Sequence, residues 1–64
     1  MKNLIKRIDE LTETIEMGLL TREQAMVQIR GLRSDIEVKY EEGSDKFMQC
    51  IECLIDANSI ALEI

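Results

Sequence analysis

The sequence predicts an all-α chain of three helices, a helical hairpin followed by a strongly apolar third helix that closes a helical bundle as a homodimer. Apolar residues recur at helical spacing over three stretches, at about residues 3–17, 22–42 and 45–63. Proline does not occur, and two of the three glycines, Gly18 and Gly43, lie where the apolar period breaks. The 64 residues allow one helical domain, 1–64, and no more, and a chain of this length is marginally stable alone.

The first predicted helix is amphipathic. Its inner line consists of Leu4, Ile8, Leu11 and Ile15, spaced by four, three and four residues as in a coiled-coil seam. Gly18 is placed for the left-handed turn that ends such a helix. Basic residues lie near the start of this helix and acidic residues near its end, which is unfavourable for the helix dipole. We therefore expect packing against the other helices to stabilise it.

The second predicted helix begins with a capping box, in which the Thr21 hydroxyl accepts from a helical amide while Gln24 reaches back to the Thr21 amide. Gly31 lies inside it at a cost of about 0.5–1 kcal/mol relative to alanine, which a close helix–helix approach would explain. Gly43 is expected to end the helix. The inner line is Ala25, Ile29, Leu32, Ile36 and Tyr40, with Met26 alongside.

The third predicted helix follows a cap at Ser44 and is apolar on nearly all sides. Its polar residues form one narrow stripe, with spacings of four, three, four, three and four: Asp45, Gln49, Glu52, Asp56, Ser59 and Glu63. Two short neighbouring helices do not cover so wide an apolar surface, so we expect a second copy of the chain to cover the rest. The predicted dimer interface is Phe47, Ile51, Leu54, Ile55 and Leu62. The alternative is a compact monomer.

Composition argues against several classes of function. The net charge of −5 and the pI near 4.6 disfavour direct nucleic-acid binding, which needs clustered Lys and Arg, and favour a protein partner. The chain has no histidine, glycine-rich phosphate loop or nucleophile elbow, so we expect no enzyme, no catalytic residue, no cofactor and no small-molecule substrate. Charges such as Lys6 and Arg7 interrupt the apolar positions after Met1, so we expect no signal segment and a cytoplasmic protein. Glu52 and Asp56 would each cost about 2.5–3.5 kcal/mol at mid-bilayer, so we expect no membrane anchor.

The two cysteines form a Cys50-Ile51-Glu52-Cys53 pattern. Redox motifs of this spacing lie at a helix N-terminus, whereas this pair lies two turns into a helix among large apolar residues, which favours two small buried hydrophobic residues. Two alternatives stay open. One is a four-thiolate zinc site made by Cys50 and Cys53 of two chains, and the other is an intermolecular disulfide.

Charged residues are segregated along the second helix. An acidic patch is formed by Glu37, Glu41, Glu42 and Asp45, and a basic stretch by Arg22, Arg30 and Arg33. These charges either dock a partner protein or form helix-surface pairs such as Asp35 with Lys39 and Arg33 with Glu37. The candidate partner-binding residues are Lys6, Arg7, Glu10, Arg22, Arg30, Arg33 and Glu37.

Residues 8–32 contain two amphipathic helices joined by Met17-Gly18-Leu19-Leu20-Thr21-Arg22-Glu23-Gln24. This segment resembles the SHOCT helical hairpin, although Ala25 and Met26 stand where an aromatic residue usually follows. In size and acidity the chain also resembles small bacterial and phage accessory proteins. That resemblance implies a regulator that modulates a DNA-binding transcription regulator or a polymerase. The alternatives are a structural oligomerisation or assembly module and, third, a Cys-x-x-Cys metal or redox sensor.

Overall fold

The computed structural model describes residues 3–64, which form three α-helices and no strand. Helix α1 is Leu4–Glu16, α2 is Arg22–Lys39 and α3 is Asp45–Leu62. The predicted all-α, three-helix class is therefore confirmed. Helix α3 packs extensively against both α1 and α2, whereas α1 and α2 contact each other less. The core is thus organised around α3 and not around the α1–α2 hairpin.

Contacts between helix ends give the helix directions. At the start of α1, Arg7 Nη1 lies 3.1 Å from Asp35 Oδ2 near the end of α2. At the start of α2, Arg22 Nη2 donates to the backbone oxygens of Leu62 and Ile64, at 3.0 and 2.8 Å. Helix α2 therefore runs antiparallel to both of its neighbours, and α1 and α3 point the same way.

Side-chain caps begin all three described helices, because Asn3, Thr21 and Ser44 each accept a hydrogen bond from a first-turn amide. The predicted capping box is confirmed. The Gln24 amide donates to Thr21 Oγ1 at 3.1 Å, and the Thr21 amide donates to Gln24 Oε1 at 3.0 Å. Two backbone amides that have no partner within the helix are thereby satisfied.

Replacing Thr21 by alanine is expected to lower the free energy of unfolding by about 1 kcal/mol, because the side-chain half of this capping box is lost. Urea denaturation followed by circular dichroism measures the effect. The matched control is Thr21→Ser, which keeps the hydroxyl and should remain close to the unmodified protein. Equal stability of the alanine and serine variants would contradict the role given to the cap.

The end of α1 is a Schellman motif, as the position of Gly18 predicts. The Gly18 amide donates to Ile15 O at 3.0 Å, and the Leu19 amide donates to Thr14 O at 3.2 Å. Gly18 has a φ of +72°, in the left-handed region that favours glycine. The backbone oxygens of the last turn are thereby partnered, and the chain turns towards α2.

Helix α2 ends at Lys39, so the prediction of a helix to residue 42 that stops at Gly43 is wrong. Tyr40 has extended dihedral angles, with φ −119° and ψ 146°. Gly43, at φ +84°, lies in the turn that follows, in which the Ser44 amide donates to Glu41 O at 3.1 Å. The glycine therefore shapes the connection to α3 and does not cap α2.

Gly31 is exposed on α2, and an added Cβ would meet nothing within 4 Å. The suggestion that this glycine allows a close approach between helices is therefore wrong within the described chain. Its backbone is helical, a conformation that alanine adopts without strain.

Gly31→Ala is therefore expected to raise the free energy of unfolding by about 0.5–1 kcal/mol, through higher helix propensity and a less flexible unfolded chain. Thermal and urea denaturation measure the change. Gly43→Ala is the matched control and should cost about 1 kcal/mol, because its left-handed φ strains any side chain. A destabilised Gly31→Ala variant would show that the glycine has a structural role in the folded protein.

The core is entirely apolar and takes one line of residues from each helix. The predicted inner lines of α1 and α2 are buried, except that Tyr40 and Met26 are only partly covered. On α3 the buried line consists mostly of small residues, which lets this helix lie close to both neighbours. The core residues are Leu4, Ile8, Leu11, Ile15, Ala25, Ile29, Leu32, Ile36, Cys50, Leu54, Ala57 and Ala61.

Candidate interaction surface

A row of apolar side chains follows the outer side of α3 next to α2. Met48, Ile55 and Leu62 recur every seven residues and are 48, 57 and 53% exposed. The half-buried residues Ile51 and Asn58 lie between them, so that the spacings along the row are three, four, three and four. We call these five residues the α3 row. The same heptad spacing is found in helices that pack against a parallel or antiparallel partner helix.

A groove between α2 and α3 borders this row and has a volume of about 190 Å³. Ile29 and Arg33 form its α2 wall. Ile51, Ile55 and Asn58 belong both to the groove and to the α3 row, while Leu54 forms its floor. A helix laid along the α3 row would therefore also contact α2, and its apolar side chains would enter the groove.

Charges of opposite sign border the row on its two sides. On the side away from α2, Glu52, Asp56 and Glu63 are exposed and form, with Ser59, what we call the acidic line. On the α2 side, Arg33 lines the groove and Arg30 lies one turn away on the same side of the helix. We call these two residues the arginine edge. Arg33 also contacts Glu37, with 3.2 Å between Nε and Oε1.

The residues predicted for the dimer interface have different positions in the single chain. Ile55 and Leu62 are exposed, and Phe47 and Ile51 are half-buried at the rim of the core. Leu54 is only 5% exposed and belongs to the core of its own chain. A second chain therefore reaches Leu54 only through the groove.

Sequence reasoning missed two members of the α3 row, Met48 and Asn58. Both residues can be found by counting from Ile55 in steps of three and four residues, the heptad spacing. These steps lead to Met48 in one direction and to Asn58 in the other. The apolar residues on every side of α3 hide this spacing in the sequence.

The predicted partner-binding residues are all exposed, but they do not form one patch. Arg7 and Glu10 border a groove of about 250 Å³ between α1 and α2. Arg33 and Glu37 border a separate groove of about 290 Å³, which Tyr40, Glu42 and Phe47 complete. Arg22 binds the backbone oxygens at the end of α3. The remaining two residues, Lys6 and Arg30, are exposed on α1 and α2.

Ion pairing on α2 differs in part from the sequence prediction. The pair between Arg33 and Glu37 is present. Asp35 pairs with Arg7 of α1, although the sequence suggests Lys39 as its partner. Lys39 instead lies over the ring of Tyr40, with 5.6 Å from Nζ to the ring centroid. Both ion pairs are about half-exposed, so each contributes at most about 1 kcal/mol.

Cys50 is fully buried in the core and Cys53 is half-buried. Burial raises the pKa of both thiols, and the negative charge of Asp9 raises the pKa of Cys53 further. Thiolate, the form that binds metals and attacks disulfides, is therefore disfavoured at both positions. Within residues 3–64, no three side chains of His, Cys, Asp or Glu are grouped so that they could hold a metal ion.

Alkylation of the native protein by iodoacetamide at pH 8 is expected to be slower than in denaturant, because burial raises the pKa of both thiols and so lowers the fraction of reactive thiolate. Cys53 should react before Cys50, because its side chain is less buried. Raising the pH should accelerate both reactions. Mass spectrometry of peptides at timed intervals measures each site. Equal rates in native and denatured protein would contradict the burial described.

Within residues 3–64, no helix has both the length and the apolar character needed to cross a membrane. Comparison of the chain with protein families, with curated proteins and with solved structures found no match.

Proposed function

We propose that this chain is a non-enzymatic interaction protein that pairs with a second copy through α3 and binds another protein with its charged outer surface. The observation that supports this most strongly is the α3 row, in which three large apolar side chains are about half-exposed at heptad spacing. Burying apolar surface is worth about 25 cal/mol per Å². A chain of this size has a small core, so such a contact is a substantial part of its stability.

A second copy is the occupant that suits this row. Two identical rows have the same length and spacing, so two-fold symmetry lets each large residue of one copy pack against the other. The pairing places α3 at the centre of the assembly, with α2 of both copies beside it. In this proposal Met48, Ile51, Ile55 and Leu62 form the apolar part of the interface, and Phe47 lies at its edge.

The partner that we propose is a nucleic-acid-binding protein, such as a transcription regulator or a polymerase, whose activity the dimer modulates in the cytoplasm. Proteins of that class carry clustered Lys and Arg. The net charge of −5 attracts such a surface, and the exposed acids at the α2–α3 connection, Glu37, Glu41, Glu42 and Asp45, concentrate that charge. The attraction should weaken as salt is added.

Affinity capture with the tagged chain from a bacterial lysate tests this partner. We expect one stoichiometric nucleic-acid-binding protein, whose capture decreases as salt rises. Glu37→Lys should reduce the capture, and Glu16→Lys, an equal charge change at the far end of α1, is the matched control. Self-association without a second protein would favour a structural oligomerisation module. Equal capture by both variants would contradict docking through the acidic patch of Glu37, Glu41, Glu42 and Asp45.

A thiol-based metal or redox sensor has less support. Cys50 is enclosed in the core, and the pKa of both thiols is raised. The double variant Cys50→Ala, Cys53→Ala tests the sensor directly. We expect its oligomer mass, metal content and partner capture to equal those of the unmodified protein. A changed metal content would favour the sensor.

A further inference from the structure

We infer that the two copies pair with their α3 helices parallel, so that Asn58 meets Asn58 of the second copy and each acidic line faces the arginine edge of the other chain. This inference rests on the proposed homodimer and adds its orientation. Three features of the described chain support it: the position of Asn58, the opposite charges on the two sides of the row, and the heights along the helix axis of the residues beside the groove.

Asn58 is the one polar member of the α3 row and lies off its centre. In a parallel pair each residue of the row meets its own equivalent, so two Asn58 side chains can exchange hydrogen bonds. In an antiparallel pair centred on Ile55, Asn58 instead meets Ile51 of the other copy. The amide would then be covered by an apolar side chain without a partner, which is unfavourable.

The charges beside the row distinguish the two orientations by symmetry alone. In a parallel pair the two-fold axis runs along the helices, so the acidic side of each α3 faces the α2 side of the other copy. Glu52 and Asp56 then approach Arg30 and Arg33. In an antiparallel pair the axis is perpendicular to the helices, and the two acidic lines fall on the same side. Asp56 would then lie on the same side and at the same height as Asp56 of the second copy, which is repulsive.

The groove allows the second α3 to contact both α2 and α3 of the first chain. Its walls are Ile29 and Arg33 on one side and Ile51, Ile55 and Asn58 on the other. Because α2 runs antiparallel to α3, Arg33 lies near the level of Ile51 and Arg30 near that of Ile55. In a parallel pair, equivalent residues of the two copies lie at the same height along the helix axis. Arg33 of one copy therefore lies level with Glu52 of the other, and Arg30 lies level with Asp56.

Disulfide trapping tests the orientation in full-length protein that carries Cys50→Ala and Cys53→Ala. Met48→Cys and Leu62→Cys are introduced separately, and each variant is oxidised alone and in an equimolar mixture. Parallel pairing predicts that each variant cross-links to itself, with no 48–62 product, because these positions lie about 21 Å apart along a helix. Cross-links found only between 48 and 62 would show an antiparallel pair. That outcome overturns this inference and leaves the homodimer intact.

Charge reversal gives a second readout that does not depend on cross-linking. In a parallel pair Asp56→Lys should raise the dimer dissociation constant about tenfold, and adding Arg30→Glu, at the level of Asp56, should restore it. The neutral variant Asp56→Asn separates the orientations: in an antiparallel pair it should tighten the dimer, because it removes the like-charge contact between the two Asp56 side chains, whereas in a parallel pair it should weaken the dimer. Sedimentation velocity across a concentration series measures each constant. A monomer at all concentrations in the unmodified protein overturns both the inference and the homodimer, which separates that failure from a wrong orientation.

Discussion

Leu54→Asp is expected to unfold the chain. Leu54 is 5% exposed in the core between α2 and α3, and the described core holds no polar side chain that could pair with a carboxylate. Burying an unpaired charge costs several kcal/mol, which is comparable with the whole stability of a domain this small. Far-ultraviolet circular dichroism and amide proton dispersion measure the loss of structure.

The matched control for that variant is Leu54→Met, which keeps the volume and apolar character of the site and should cost less than about 1.5 kcal/mol. A cooperative thermal transition in Leu54→Asp near that of the control would contradict the buried position of Leu54. It would also show that the groove admits water to the core.

Ile55→Asp is expected to dissociate the proposed dimer and leave each chain folded. Ile55 lies one residue beyond Leu54 but is 57% exposed and central in the α3 row. In the single chain its replacement adds a charge on the surface, whereas in the proposed pair it places two carboxylates against each other in a dry contact. The expected loss of affinity is several kcal/mol, enough to give a monomer at micromolar concentration.

Val38→Asp serves as the matched control, because Val38 is 88% exposed on α2 and lies away from the α3 row. Sedimentation velocity should show this variant as a dimer and Ile55→Asp as a monomer, with similar circular dichroism for both. An intact dimer of the Ile55→Asp variant would contradict the interface at the α3 row.

The starts of α2 and α3 could be predicted from the sequence, because a helix cap needs only residues that are near each other in the chain. Thr21 with Gln24 and Ser44 are examples. The end of α2 was not predictable in this way. Glu41 and Glu42 would have placed negative charge at the negative end of the helix dipole, which favours an earlier end at Lys39. In the sequence Gly43 suggests the end of a helix, but in the structure it lies in the turn that follows α2.

The buried sides of α1 and α2 were predictable because each helix has one apolar line among polar residues. On α3 the apolar residues surround the helix, so periodicity alone does not tell which of them face the core. The fold buries the small residues Cys50, Ala57 and Ala61 and exposes larger ones such as Ile55. That choice depends on how closely α1 and α2 approach, which is a property of the packed structure.

The charged surface was predictable only residue by residue. Exposure of the candidate partner-binding residues follows from their positions on amphipathic helices. Their grouping depends on tertiary structure, as the pair between Arg7 and Asp35 shows. Asp35 has a basic residue four positions away in Lys39, yet α1 brings Arg7 within reach.

In the proposed dimer a second copy covers the α3 row. Light scattering coupled to size-exclusion chromatography of the unmodified chain at micromolar concentration measures this directly. We expect a folded species with twice the chain mass of 7.4 kDa. A well-folded species of 7.4 kDa at every concentration would contradict the proposed dimer.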